Sequence, residues 1–487
     1  MLLILTWLVA TVSLGYFTYF FTNGTVRKRL LLSFNVKTAG TPRRGSGLDT
    51  NTASAFYQDN TYASAFPPNR RHASRLLNSS PATQEDQSSD DLESRQALQL
   101  SPTTDTANQK KHLHHLTATG FSLRDILELG DFCDYATLSG IALPCAYHEF
   151  DIDKALPRPY RPFRWAYHQT MSMTRLEPDW WLELNRDYKA TIAWRQQTFE
   201  KHGDAVLQTL PGSELAAKEL MEMCLQFLCA RYPHYFSLNT EDMMLHNEIL
   251  GNKTDLRATP PMHVLLANVP EDFAIMLRDP TTGLYTFRGG MIMSSLGWSL
   301  GTKLGLTLDE IHKPVPDYQE KMQFSMNRYF SKMPTDKPIQ RGSWGLEIDK
   351  PLFMPPEDPH CKLRQRQDPE HTIDRVHLRV DWQTLRRLPL SGAIVFNFKG
   401  LFTPVTEFRD EPYVPSLVLK VLKEGRKGLM EYKDTWHTEH VVVPYLEKCE
   451  REQVERGVIE EEWEARTLDE APFFPGWEEK WERQQGF

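Results

Sequence analysis

An α+β fold is predicted by three observations: two segments of helical period before residue 233, short strand-like runs from residue 273, and a return to helical period after residue 317. The first helix is expected over Trp180–Lys201, where Tyr188, Ile192 and Phe199 recur at near-helical spacing. A second starts at Ser213 as N-cap, carries Ala216, Leu220, Cys224 and Phe227 on one face, and stops at Pro233. Phe273–Arg278 and Leu284–Arg288 read as strands joined by Asp279-Pro280-Thr281-Thr282-Gly283. Met291–Met293 follows a Gly289-Gly290 break, and together these runs read as an antiparallel meander. Asp317 and Glu320 are spaced as a capping box, ahead of an apolar helical face of Met322, Met326, Tyr329, Phe330 and Met333. Trp382, Leu385 and Leu388 suggest a short helix ending at Pro389, and Ala393–Phe398 a buried strand.

The 487 residues leave room for two or three domains, but the pattern points to one large globular unit over residues 116–450. With 56 basic against 64 acidic residues the formal charge is -8, and no basic stripe is present, so nucleic acid is not an expected partner. Cys133, Cys145, Cys224, Cys229, Cys361 and Cys449 form no C-x-x-C pair and read as free thiols of a reducing compartment. The uncharged run Leu2–Phe21 approaches the roughly 20 residues that cross a bilayer and is followed by Arg27-Lys28-Arg29. Residues 1–29 therefore read as a membrane anchor, the basic flank placing the C-terminal domain of a single-pass protein in the cytosol. Residues 30–115, poor in aliphatic side chains, read as a disordered tether, and residues 451–487 as an acidic, solvated, partly helical tail.

Neither a G-x-x-x-x-G-K-[ST] loop nor a strand-linked G-x-G-x-x-G occurs, so the usual phosphate cradles are missing. Gly297, Gly301 and Gly305 mark turns or close packing. His437 and His440 lack the H-E-x-x-H arrangement and read as surface histidines. Asp151-Ile152-Asp153 resembles the acidic pair of glycosyltransferases, and with sequons at Asn23, Asn78 and Asn252 it supports an alternative reading as a lumenal glycosyltransferase. The competing reading of the pair is a solvated turn beside Lys154. His312, between a short apolar turn and the stiffening Pro314 and Pro316, is the candidate metal ligand; its plain reading is a helix-end histidine packed near Pro314. Cys224 and Cys229, about 140° apart on a helix, share no face and read as core.

Six stretches, by their order and spacing, resemble the alpha-subunit family of haem-dependent oxidative N-demethylase. They are Trp181-Leu-Glu-Leu-Asn-Arg-Asp-Tyr188, Arg231-Tyr-Pro233, Ile311-His-Lys-Pro-Val-Pro316, Asn327-Arg-Tyr-Phe330, Gln340-Arg-Gly-Ser-Trp344 and Leu378-Arg-Val-Asp-Trp-Gln-Thr-Leu-Arg-Arg-Leu-Pro-Leu-Ser-Gly-Ala393, within residues 155–447. The resemblance implies haem b in a PAS-like antiparallel sheet flanked by helices, a separate electron-donating reductase, and oxidation of a small amine by O₂, as an oxidase or monooxygenase. Carried over by residue, it implies His312 as proximal iron ligand and Arg341, Arg379, Arg386 and Arg387 as candidates for the haem propionates, since guanidinium forks match carboxylates. Asp381-Trp382-Gln383 stands where Glu-Arg-Gln is expected in bacterial members, so a contact of that arginine is missing. A non-catalytic haem sensor or carrier on the same fold is the alternative within the resemblance.

Overall fold

The computed structural model describes residues 116–168 and 170–486. Its centre is a seven-stranded sheet of β1 (Thr174–Arg175), β2 (Leu207–Thr209), β6 (Asp272–Arg278), β7 (Tyr285–Met291), β8 (Ile339–Ile348), β9 (Val376–Arg387) and β10 (Ile394–Pro404). A small sheet is formed by β3 (Phe236–Asn239), β4 (Met244–Asn247) and β5 (Asn252–Asp255). The large sheet runs β1-β8-β9-β10-β6-β7-β2, and each neighbouring pair is antiparallel. The main helices are α1 (Tyr188–His202), α2 (Glu214–Arg231), α3 (Leu308–His312), α4 (Gln323–Lys332), α5 (Val414–Glu424), α6 (Trp436–Glu455) and α7 (Trp477–Gln485). The α+β class and the antiparallel sheet flanked by helices are as expected.

Alternation along each strand sorts side chains onto two faces of the sheet. On one, Phe273, Ile275 and Val395 join the core that contains Leu220, Cys224 and Phe227 of α2, while Val376, Leu378, Val380 and Trp382 join a second core with Val418 of α5 and Leu446 of α6. On the other, Ala274, Met276, Leu385 and Ile394 meet Met326 and Phe330 of α4 and Leu308 of α3. A sheet covered on both faces leaves few exposed positions, which is why β9 is a nearly continuous buried run.

That burial explains the largest error of the sequence reading. The spacing of Trp382, Leu385 and Leu388 suggests a helix, but residues 376–387 form the long strand β9, its apolar residues divided between opposite faces. Gly289 and Gly290 do not break a strand either. They lie inside β7, where a Cβ on Gly290 would stand 2.4 Å from the Phe273 carbonyl oxygen, so the glycine permits close approach of β6. Ser213 does sit at the N-cap of α2, but its hydroxyl donates to the Leu210 carbonyl instead of capping the helix. Asp317 forms no capping box: its backbone is left-handed at φ 57° and its carboxylate pairs with Lys321 and Arg426.

The C-terminal segment is partly helical as expected, in α7, but packed and not simply solvated. Phe474 joins the second core, Trp477 stacks on Phe473 at 4.0 Å, and Trp481 Nε1 donates to the Leu156 carbonyl. The expectation of a single-pass membrane protein with a cytosolic domain is corrected: among the described residues no helix is long and apolar enough to cross a membrane. The Leu2–Phe21 run on which that expectation rested, and the tether after it, lie outside the described residues.

Candidate functional site

Between the helical layer and the sheet face that carries Leu385 lies a cavity with two lobes. Register builds its floor: Arg341 of β8 pairs with Gln383 of β9, Gln383 with Phe398 of β10, and Leu385 with Phe396, so these side chains share one face. Helices α3 and α4 cover that floor with Ile311, Met326 and Tyr329. The apolar lobe, about 240 Å³, is lined further by Met171, Met276, Phe287 and Trp298. The polar lobe, about 350 Å³, is lined by Arg164, Tyr167, His168, Ser343 and Lys433 among others. His312, Val315, Met326, Arg341, Gln383 and Tyr432 belong to both lobes, so the imidazole stands where they meet. Together the lobes fall in the range of roughly 300–1,000 Å³ usual for small-molecule and cofactor sites.

His312 ends α3, a short helix set by a capping box in which Thr307 and Glu310 satisfy each other's backbone N–H groups. Its Nδ1–H donates to the Leu308 carbonyl at 2.8 Å, which leaves Nε2 with its lone pair and no hydrogen-bond partner among the described residues. The ring lies nearly parallel to Tyr318, 5.4 Å between centroids, and the Tyr318 hydroxyl donates to Asp309 at 2.8 Å. Gln323 and Asn327 donate to the same carboxylate, so Asp309 ties α3 to the start of α4 and fixes the ring beneath Tyr318. Burial, with the nearby charges of Arg341 and Lys303, holds the His312 pKa below 6.5 against the opposing pull of the Leu308 hydrogen bond. The imidazole is therefore neutral at pH 7, the form that can donate to a metal.

The cations around the polar lobe make no ion pair among the described residues. No acidic side chain lines either lobe. Arg341 has its Nε sealed from solvent without a partner, and burial lowers its pKa. Lys433 donates to the Trp344 carbonyl and Ser343 hydroxyl, and burial, opposed by the charge of Asp381 and reinforced by that of Arg341, brings its ammonium down to about 7. Neither they nor Arg164 makes an ion pair among the described residues. An apolar lobe, a neutral imidazole and cations without ion-pair partners fit an amphiphilic, anionic ligand.

The other three arginines of the sequence reading lie elsewhere. Arg379 donates to Asp381 and to the carbonyls of Pro351, Leu352 and Ser294. Arg387 donates to the carbonyls of Met333, Phe330 and Gly392, thereby pinning the end of α4 over the sheet. Arg386, next along β9, faces the opposite side and stacks 4.0 Å from the Trp181 ring. Trp382, the departure from the bacterial pattern, also points away from His312, stacked on Tyr160 at 3.9 Å. Lys303, Arg164 and Lys433 were missed by sequence reasoning because nothing in their local pattern distinguishes them from surface cations.

The remaining candidates resolve simply. His437 is not a surface residue: it is fully buried, its Nδ1 bonded to the Asp434 carbonyl, and His440 Nε2 bonds the Asp368 carbonyl. Asp151 pairs with Lys154 at 3.6 Å in a turn, and Asp153 is exposed. Among the described residues no group of three or more His, Cys, Asp or Glu side chains could hold a metal ion.

A sheet and a helical layer thus enclose a histidine-bearing, cation-rimmed cavity in a protein of α+β class. The family model described as haem-dependent oxidative N-demethylase, alpha subunit-like, matches residues 172–443, and the chain belongs to that family. The match spans β8, β9, β10 and both helices over the cavity.

Proposed function

We propose that the two-lobed cavity holds haem b, with His312 Nε2 as the proximal iron ligand, in a PAS-like version of the antiparallel sheet. The observation that supports this most directly is the neutral imidazole fixed through Nδ1 at the junction of an apolar lobe and a cationic one. A lone protein ligand suffices for a metal whose other donors come from a porphyrin. Arg341 would receive a propionate, a reading supported by its place in both lobes and its Nε without a partner; Arg164 and Lys433 would add positive charge at the same end.

When bound, the haem would supply O₂ activation with electrons from a separate reductase, for oxidation of a methyl group on an amine nitrogen. The chain's own contribution is positioning. Leu308 holds the tautomer of His312, Tyr318 and Asp309 hold its plane, and Met326, Phe330, Leu385 and Phe396 exclude water from the apolar lobe. The test is the visible spectrum of the purified full-length chain expressed with ample porphyrin supply. A Soret band in the parent, lost or shifted in His312→Ala, is expected; an unchanged haem spectrum in that variant removes His312 from the role. Demethylation with reductase, NADPH and O₂ then separates an enzyme from a haem carrier.

A further inference from the structure

Arg386 is 8% exposed and has neither a hydrogen-bond acceptor nor a carboxylate partner among the described residues; its Nε is sealed from solvent. The guanidinium lies over the Trp181 ring and faces a cavity of about 20 Å³ lined by Tyr135, Ser139, Met223, Gln226 and Phe227, on the opposite side of β9 from His312. The indole Nε1–H of Trp181, which lines the same cavity, also lacks an acceptor. Neighbouring polar groups are committed: Gln226 donates to the Phe132 and Cys133 carbonyls, and Tyr135 donates to Glu222, which is paired with Lys218. Two donors, one of them charged, thus border a cavity without an acidic side chain.

Burial lowers the Arg386 pKa only to about 10, so the group is charged at neutral pH. Stacking on an indole offsets part of the cost of a buried charge but leaves its N–H groups without acceptors. A water molecule would accept from them but bring no compensating charge. The volume is close to that of one water-sized guest, which favours a monatomic anion over phosphate, sulfate or a carboxylate-bearing metabolite. We propose that this cavity is a halide site, in which Arg386, with the Trp181 indole N–H beside it, binds a chloride-sized anion.

Chloride-free full-length protein would be unfolded in urea over a series of chloride or bromide concentrations, ionic strength being held with sodium gluconate, whose anion is too large to enter. Above the dissociation constant the folded-to-unfolded ratio is expected to rise about tenfold per tenfold increase in halide, as for one site confined to the folded state. Arg386→Gln is expected to lose this response and His312→Ala to keep it. Chlorine-35 NMR of the unmodified chain supplies a readout independent of the variants: protein-induced line broadening should be reversed by bromide. Absence of both broadening and halide stabilisation in the unmodified chain, or an equal response in Arg386→Gln, overturns the proposal.

Discussion

Glu219→Gln should turn the pH dependence of stability into a measurable difference from the parent. Glu219 projects from α2 into the core, 1% exposed, and its two oxygens accept the N–H groups of Leu390 at 2.5 Å and Ser391 at 2.8 Å. These residues form the turn between β9 and β10, the strands that carry Gln383, Leu385, Phe396 and Phe398 of the cavity floor. Burial raises the carboxyl from 4.5 to about 7, outweighing the hydrogen bonds that favour the ionised form. Between those pH values the folded chain keeps a proton that the unfolded chain releases. The stabilisation is therefore fully present below pH 4.5 and is lost as pH rises through 7. At about 1.4 kcal/mol per pH unit the interval corresponds to roughly 3 kcal/mol. Glutamine retains one acceptor for the two backbone donors and does not titrate, so the variant pays for an orphaned N–H, about 1–3 kcal/mol, without the pH term. Urea unfolding of both full-length proteins from pH 4.5 to 8 is the assay. The parent's advantage, about 1–3 kcal/mol near pH 4.5, should fall by roughly 3 kcal/mol by pH 8, so that it vanishes or changes sign. A gap that stays constant across the range refutes a proton held at Glu219.

His437 gives a contribution of opposite sign. Burial, then the charge of Arg364, lowers its imidazole from 6.5 to about 4, so its stabilisation is present above pH 6.5 and lost as pH falls towards 4, up to about 3 kcal/mol. His437→Gln should flatten that acid limb in the same urea series, and an unaltered limb would show that another group carries it. The parent curve alone would conceal both effects where their windows overlap, which is why differences from the parent are measured. Glu411→Gln should destabilise the chain by about 3–5 kcal/mol. It halves a fully buried fork in which Arg161 donates at 2.7 and 2.6 Å and from which Lys480 of α7 is 2.9 Å distant. Faster amide exchange in α7 should accompany the loss; unchanged exchange there would separate the C-terminal helix from this pair.

How much of this was legible follows from the range of the interactions concerned. Helices α1, α2 and α4 were visible because spacing within one element reports its buried face, and strands β6 and β7 because their turn residues bound them. Strand β9 was not, since a strand covered on both faces loses the period-two contrast, leaving an apolar spacing that also suits a helix. The packing of the C-terminal segment was missed for a related reason: Trp481 bonds the Leu156 carbonyl 325 residues earlier and Phe474 lies beneath Arg161, while Trp477 stacks on its near neighbour Phe473. No local pattern encodes that distance.

The four arginines carry the same argument into the site. Sequence chemistry made them equivalent, each a guanidinium able to receive a propionate. Strand register separates them. Arg341 faces the same side as Gln383 because β8 pairs with β9 at that rung, whereas Arg386 is one residue out of phase with Leu385 and is carried to the far face. Arg387 returns to the helical side, but carbonyls at the end of α4 occupy its donors. A one-residue change of phase thus carries Arg386 to the face opposite Arg341 and Arg387, so the side a cation takes on this sheet follows from pairing before it follows from residue type.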